Sequence, residues 1–323
     1  MRLLLALVSL AAAPLVAPLV GSLAVAPLVA TLVATLVATL VAQPAPWFKT
    51  GIDLVNLGVT VTDKRGTIVT GLTADRFEIL EDGKPQALQY FASDIGAAPE
   101  MHLGLLLDVS GSMERDIAFT RTAAIKFLNT LTEAVDITVV DFDTEVRVAR
   151  YQQRDFARLI ERIRSRPTSG QTALFDAIGV YLDGASEQEG RTIMLLYTDG
   201  GDTRSALGFD NLLDIVRASD VTIYAIGVFD RQVGSRSMEQ QQVLRQIAEA
   251  TGGQAFFAPS ARELERVYAQ VTAEIRAQYT LGYLSANPTA DGAWREVEVR
   301  LTGADDRELR VRSRRGYYAP LLK

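Results

Sequence analysis

The sequence predicts an α/β fold in which a doubly wound, mostly parallel sheet is flanked by small β-rich segments on its amino- and carboxyl-terminal sides. Between residues 101 and 276, short continuous apolar runs alternate with helix-like stretches, as expected for parallel strands covered by helices on both faces. Outside this region apolar residues tend to alternate with polar ones, which is typical of antiparallel strands with one buried face. The 323 residues suffice for one large domain and a smaller one.

The first 42 residues are apolar and repetitive. After Arg2 they contain no charged residue, and the four-residue units APLV and ATLV each recur within them. A charged start followed by an apolar run is what membrane insertion requires, so residues 1–42 are predicted to be a signal peptide or an uncleaved membrane anchor. The alternative is a hydrophobic low-complexity tail or a misassigned start codon. Export would place the rest of the chain in the periplasm, outside the cell or on the envelope.

Residues 49–98 are predicted to form an amino-terminal β-rich segment. Turns are expected at DKRG, residues 63–66, and around Gly83. Asp63, Glu81 and Asp82 are interpreted as structural residues of these turns, because an aspartate there can cap its own backbone.

The core, residues 101–276, is predicted to contain four buried strands and six helices. Continuous apolar runs predict the strands at 103–107, 137–142, 192–198 and 221–228. Helical periodicity predicts the helices at 114–132, 154–164, 172–186, 209–219, 238–250 and 261–277. The alternation of strand and helix implies right-handed crossovers and a doubly wound sheet.

Residues 277–320 are predicted to form a carboxyl-terminal β-rich segment. Alternating residues such as Val297 and Val299 give its strands one buried face. Its arginines are interpreted as a solvated strand face rather than a ligand patch; they are Arg310, Arg312, Arg314 and Arg315. One hypothesis is that the two β-rich segments pair as a single domain into which the core is inserted.

The segment DVSGSM, residues 108–113, constrains the function more than any other. It places Asp108, Ser110 and Ser112 on a turn directly after a predicted buried strand. Asp199 also follows a strand, and Thr172 lies at the start of a predicted helix. Because ligands of open α/β sheets bind beyond the carboxyl ends of the strands, these five side chains are predicted to meet at one rim. Hard oxygen ligands of this kind suit Mg²⁺, Ca²⁺ or Mn²⁺ rather than zinc.

Helix capping is the alternative explanation for these residues. Ser112 could cap a helix that begins near Glu114, and Thr172 could cap its own helix. Capping gives no reason for three loops to converge with acids at two strand ends, so the five residues together favour a metal site. Asp143 and Asp202 are further candidates for positions near the metal, with ordinary loop solvation as the alternative.

On these residues the chain resembles the von Willebrand factor type A domain, over residues 101–276. The metal-ion-dependent adhesion site of that family consists of D-x-S-x-S, a threonine and an aspartate on three loops, and DVSGSM, Thr172 and Asp199 match it without departure. The resemblance implies that the three hydroxyls contact the metal directly and that the two aspartates act largely through water. The flanking segments resemble a group of secreted bacterial proteins, the VWFA-related acidobacterial type.

The predicted function is an exported, metal-dependent module for protein binding or adhesion. Mg²⁺, the metal we expect first, takes six oxygen ligands, which leaves a position for an Asp or Glu carboxylate of a partner protein or peptide. Nucleic acid is not expected as a partner, since 33 Lys and Arg residues face 39 Asp and Glu residues, for a net charge of −6. Membrane contact is expected only through the amino-terminal segment.

Two alternative functions stay open. In one, the domain is a structural or assembly element of the cell envelope, and the metal only stabilises a loop. In the other, a metal-assisted hydrolase activates water with a general base, commonly His or Glu. The single histidine, His102, lies at the start of the first core strand, on the edge opposite the predicted site, so we expect the protein not to be an enzyme. Cysteine is absent, which excludes a thiolate metal site and a cysteine nucleophile.

Overall fold

The structure, a computed structural model, describes residues 54–93, 98–227, 235–258, 260–303 and 308–321. The chain divides into two units, residues 1–50 and 51–323, and all described residues belong to the second. The predicted export segment, residues 1–42, therefore lies outside the described residues. No helix in the described part of the chain is long and apolar enough to cross a membrane.

The elements follow one another as three groups along the chain. The first group is β1 (Leu54–Asp63), β2 (Phe77–Glu81), β3 (Lys84–Gln86) and β4 (Leu88–Ala92). The core group is β5 (Met101–Asp108), α1 (Ile117–Thr130), β6 (Ala134–Phe142), β7 (Val146–Gln152), α2 (Phe156–Ser165), α3 (Leu174–Ala185), β8 (Arg191–Thr198), α4 (Phe209–Ala218), β9 (Thr222–Gly227), α5 (Ser235–Ala250), β10 (Gln254–Phe257) and α6 (Ala261–Ala277). The last group is β11 (Tyr279–Leu284), β12 (Trp294–Leu301), β13 (Leu309–Arg312) and β14 (Gly316–Tyr318).

A six-stranded sheet forms the centre of the core, with the strand order β10-β9-β8-β5-β6-β7. All neighbouring strands are parallel except β7, which runs antiparallel to β6. Every residue of β5 and β8 is buried, because α1, α2 and α6 cover one face of the sheet and α3, α4 and α5 cover the other. The predicted doubly wound α/β fold is confirmed.

Two strands of the central sheet were not predicted from the sequence, and both are edge strands. β7 pairs with only one neighbour, and its residues are half-buried or exposed, so it lacks the continuous apolar run that marks a central strand. β10 has only four residues. The first helix also begins later than predicted, at Ile117, because residues 111–113 form a short 3₁₀ turn and residues 114–116 continue as a turn.

The strands before and after the core pair with each other in two four-stranded sheets. In one sheet the order is β13-β1-β11-β4, and in the other it is β14-β12-β2-β3. Alternate residues of β12 are buried and join a shared apolar core with residues of β1, β2 and β11. The pairing predicted between the two β-rich segments is therefore present.

Glu81 differs from its interpretation as a turn residue. It is the last residue of β2, and only 2% of its surface is exposed. Its carboxylate accepts hydrogen bonds from the hydroxyls of Tyr283 at 2.8 Å, Tyr317 at 2.9 Å and Ser285 at 2.5 Å. The interpretation failed because these donors lie some two hundred residues away along the chain. The turn that follows is as predicted, with φ of 48° at Asp82 and 75° at the next residue.

Arg312 and Arg314 do not form a solvated face, so that prediction is wrong for these two residues. Arg312 donates from Nε to the carbonyl oxygen of Gly252 at 2.9 Å and pairs with the buried Glu274 of α6. Arg314 is buried, pairs with Asp220 and donates to a backbone carbonyl of β1. Both guanidinium groups thus attach the carboxyl-terminal strands to the α/β core.

Replacing Arg312 by alanine is expected to lower the free energy of unfolding by about 3 kcal/mol, because the buried carboxylate of Glu274 loses its cation. Arg310→Ala is the matched control: Arg310 lies in the same strand but is exposed and has no side-chain partner among the described residues. The control should change the free energy by less than about 0.5 kcal/mol. Urea denaturation measures both, and equal effects would contradict the account of this contact.

Candidate metal centre

Asp108 is the last residue of β5 and lies at the carboxyl edge of the central sheet. None of its surface is exposed. Oδ1 accepts a hydrogen bond from the backbone N–H of Ser110 at 2.9 Å, and Oδ2 accepts one from the hydroxyl of Thr198 at 2.7 Å. A carboxylate in this position is costly to bury without such donors. Its side chain is therefore fixed in one orientation at the rim.

Thr198 was missed in the sequence prediction. It is the last residue of β8, the strand adjacent to β5, and it is completely buried. Its Oγ1 donates to Asp108 and accepts from the backbone N–H of Gly200 at 3.0 Å. The residue thus links the first acid to the loop that carries Asp199. In the sequence, the indication of this role is that a threonine directly precedes Asp199 at the end of a predicted strand.

Burial is the largest influence on the pKa of the Asp108 carboxyl. Burial raises this pKa, hydrogen bonds from Ser110 and Thr198 lower it, and the negative charge of Asp199, the smallest of these influences, raises it; together they give a pKa of about 6. Neither carboxylate has a Lys, Arg or His partner within ion-pair distance in the described ranges. The two acids at this rim are therefore not neutralised by a side chain of the described protein.

The serines of DVSGSM lie beside Asp108 and do not cap a helix. The Oγ atoms of Ser110 and Ser112 are 3.0 Å apart; Ser110 is buried, whereas Ser112 is exposed. The residue before the 3₁₀ turn is Ser110 and the one before α1 is Asp116, and neither makes a side-chain capping bond. The capping alternative therefore does not account for Ser112.

Thr172 is buried in the loop before α3, and it does not cap that helix either. The residue at the cap position is Ala173, which makes no side-chain capping bond. The backbone N–H of Thr172 donates to the hydroxyl of Thr203 at 3.0 Å, and its carbonyl accepts from the backbone N–H groups of Thr203 at 2.9 Å and Arg204 at 3.0 Å. These bonds leave its own hydroxyl without a hydrogen-bond partner among the described residues.

Asp199 follows β8 and is half-buried. Its Oδ1 accepts from the backbone N–H of Gly201 at 2.9 Å. Gly200 has a φ of +77°, and a Cβ there would lie 2.9 Å from the carbonyl oxygen of Gln240 in α5. Only glycine fits this turn without strain, so the two glycines hold Asp199 at the rim.

Hydrogen bonds connect the three loops that carry the predicted ligands. Loop 1 (residues 109–116) donates from Gly111 to the carbonyl of Gly170 in loop 2 (residues 166–173) at 3.1 Å. Loop 2 is bonded to loop 3 (residues 199–208) through Thr172, as described above. The bond between Asp108 and Thr198 joins the two strand ends from which loops 1 and 3 begin. The structure thus ties the segments of all five predicted residues together at one edge of the sheet.

The two further candidates, Asp143 and Asp202, have structural partners. The carboxylate of Asp143 pairs with Arg147 at 3.0 Å, and its carbonyl accepts from the backbone N–H of Ala173 at 2.8 Å. Oδ1 of Asp202 accepts from the N–H of Phe175 at 3.2 Å, so this residue, and not Thr172, satisfies a free donor at the start of α3. Their predicted proximity to a metal stays a prediction.

His102 lies at the amino end of β5, opposite the rim with Asp108, as predicted. It is buried rather than at the surface: Nδ1 is 3.0 Å from Oδ2 of Asp136, and Nε2 is 2.8 Å from the carbonyl oxygen of Glu189. Both ring nitrogens are therefore engaged in holding the start of the sheet.

The residues at the rim fit a hard divalent cation. Two carboxylates without a cationic partner and three hydroxyls that cap no helix supply only oxygen donors. The described residues contain no cluster of three or more His, Asp and Glu side chains that could hold a metal. Any cation here would thus depend on the hydroxyl groups as well as on the acids.

A family model of the von Willebrand factor type A domain matches residues 102–270, more than half of the chain. The chain belongs to this family. No curated protein matches the sequence.

Several solved structures are similar to the chain. A von Willebrand factor type A protein from Catenulispora acidiphila has 14% identity and a TM-score of 0.47; the match covers 85% of this chain and 76% of that one. The PilB minor pilin from Streptococcus sanguinis has 12% identity and a TM-score of 0.44, covering 55% of this chain and 61% of the pilin. The vWF domain of the type V pili tip protein Mfa5 from Porphyromonas gingivalis has 12% identity and a TM-score of 0.46, covering 55% and 97%.

Replacing Asp108 by asparagine is expected to stabilise the metal-free protein at neutral pH. The carboxyl of the unfolded chain ionises near its ordinary pKa of 3.8 and that of the folded chain near 6, so the folded state loses stability as the pH rises between these values. Above this range the free energy of unfolding is lower by about 3 kcal/mol in the wild type. The uncharged asparagine of the variant does not incur this loss. Denaturation in EDTA across this pH range measures the difference between the two proteins.

Asp210→Asn is the control, since Asp210 is an exposed acid of α4. Its stability should follow that of the wild type at every pH. If Asp108→Asn is the less stable protein in EDTA at neutral pH, the carboxylate is stabilised by something other than a cation.

Proposed function

We propose that this von Willebrand factor type A domain binds a protein partner through a divalent cation held by Asp108, Ser110, Ser112, Thr172 and Asp199. The observation that carries the proposal is the pair of carboxylates at the ends of two adjacent strands, which no basic side chain of the described residues neutralises. A cation at this rim would relieve their repulsion.

Mg²⁺ is the cation that these donors fit best. Hydroxyl and carboxylate oxygens are its ordinary ligands, and it retains positions for water or for a further oxygen. When bound, the cation would supply a positive charge that accepts an oxygen of an external carboxylate. The protein contributes the fixed positions of the donors through the hydrogen bonds between the loops.

The partner is proposed to be a protein or peptide that offers an Asp or Glu side chain. Ser112 is exposed at the rim, and Asp199 is half-buried, so the donor set is reached from the solvent. Membership of the family favours a binding module over an enzyme. His102 is engaged with Asp136 at the opposite edge of the sheet and is no general base for this rim.

The competing function is a structural one, in which the cation only stabilises a loop. Partner capture distinguishes this structural function from metal-dependent binding. Purified wild-type protein should gain thermal stability in Mg²⁺ and capture a partner from envelope extract, and EDTA should abolish both effects. Thr172→Val, which removes one hydroxyl, and Asp108→Ala should lose both effects. Asp210→Asn should behave like the wild type, because Asp210 is exposed and lies outside the donor set.

Partner capture that persists in EDTA, or in both folded variants, would contradict metal-dependent adhesion. Thermal stabilisation by Mg²⁺ without any metal-dependent capture would instead support the structural function.

We further propose that the chain is exported and that residues 1–42 direct this export. The support is their composition, a charged start followed by a long uncharged apolar stretch. Expression of the full chain followed by cell fractionation should recover the folded domain outside the cytoplasm, and intact mass should show whether the segment is cut. Recovery of the protein with its complete mass from the cytoplasm would contradict export.

A further inference from the structure

Loop 3 uses almost all of its polar side chains for internal hydrogen bonds. Asp202 accepts from the hydroxyl of Ser205 at 2.6 Å and from a backbone N–H of α3. Ser205 accepts from the N–H of Asp176 at 3.0 Å, and the hydroxyl of Thr203 accepts from the N–H of Thr172. These side chains anchor the loop to the start of α3.

The carboxylate of Asp176 anchors the end of the same loop. It accepts from the backbone N–H groups of Ala206 and Leu207, each at 2.9 Å. Loop 3 is therefore attached to α3 on both sides of residue 204 by bonds from backbone and side chain. A loop held in this way presents its remaining side chains from fixed positions.

Arg204 is the exception in this loop. Its backbone N–H donates to the carbonyl of Thr172 at 3.0 Å, but its side chain is exposed and its guanidinium has no partner among the described residues. Other arginines of this protein, such as Arg312 and Arg147, pair with acids and join elements of the fold. The guanidinium of Arg204 is thus an unpaired cation among the described residues. Its backbone is hydrogen-bonded to Thr172, a proposed metal ligand.

The net negative charge of the chain makes a cation at this position favourable for binding an acidic partner. The net charge of −6 disfavours the approach of an acidic partner, and a local cation offsets this repulsion. Within loop 1, the described exposed charges that follow Ser112 are Glu114 and Arg115, which are adjacent and of opposite sign. Arg204 therefore adds to loop 3 a positive charge that pairs with no acid among the described residues.

We propose that Arg204 binds a second carboxylate of the partner, so that the docking segment of the partner presents two acids. One acid would complete the coordination of the cation, and the other would pair with the guanidinium, whose planar donors match a carboxylate in a bidentate manner. This inference rests on the proposed function, because it assigns the partner chemistry of the same rim. Arg204 is a specificity-determining residue in this account and contacts no metal.

The test is a selection of random seven-residue peptides, displayed on phage, on the purified full-length protein in Mg²⁺, with elution by EDTA. Wild-type protein should select peptides with two acidic residues at a fixed spacing. Arg204→Glu should select peptides in which the second acid is replaced by Lys or Arg. For the best two-acid peptide, Arg204→Ala should weaken binding about fivefold, as expected for an exposed ion pair, and leave Mg²⁺ affinity unchanged.

Arg158→Glu is the matched control. Arg158 is also exposed and unpaired among the described residues, but it lies in the first turn of α2, which follows the end of β7 at the amino edge of the sheet. This variant should select the same peptides as the wild type. Equal thermal midpoints of all three variants show that they are folded, because neither arginine side chain has a hydrogen-bond or ion-pair partner to lose in the described part of the chain.

The possible outcomes separate this inference from the proposed function. If EDTA elutes peptides from the wild type and Arg204→Glu selects the same sequences, the role of Arg204 is wrong and metal-dependent binding stands. If EDTA elutes no enriched peptides from the wild type, both proposals fail. The role of Arg204 is supported if Arg204→Glu selects peptides with a base in place of the second acid and Arg158→Glu does not.

Discussion

The burial of the Asp108 carboxylate without a cationic partner among the described residues is the constraint on which the rest of the site depends. Because β5 and β8 are neighbours in the sheet, Asp108 and Asp199 are brought to the same edge by the fold itself. Burial of Asp108 disfavours the charged form of its carboxyl. The described residues supply hydroxyl and amide donors to it but no positive side chain. The protein fixes the positions of these two carboxylates without neutralising their negative charge. A bound cation would neutralise it.

The site belongs to the core, and the flanking strands support it from outside. All five proposed ligands lie between residues 108 and 199, at the end of β5 and on three loops that bond to one another. The flanking sheets are joined to the core through the direct passage from α6 into β11 and through the ion pairs of Arg312 and Arg314. These contacts make the β-rich segments part of the same folded unit as the proposed binding rim.

Local patterns in the sequence predicted the central strands, the helices and the rim, because continuous apolar runs and the position of an acid after a strand are local signals. The edge strands β7 and β10 lacked such a run. The roles of Glu81, Thr198 and Arg312 depend on partners far away in the chain, and those contacts exist only once the strands are assembled. Residues whose function is to join distant elements were therefore interpreted wrongly or missed.

The most direct measurement of the central claim is the position of a bound cation. Crystals grown with Mn²⁺, which the same oxygen donors accept, allow the ion to be located by its anomalous scattering. The account predicts one strong peak beside the hydroxyls of Ser110, Ser112 and Thr172, which should disappear in Thr172→Val crystals. A strong peak elsewhere in the protein, with none at this rim, would contradict it.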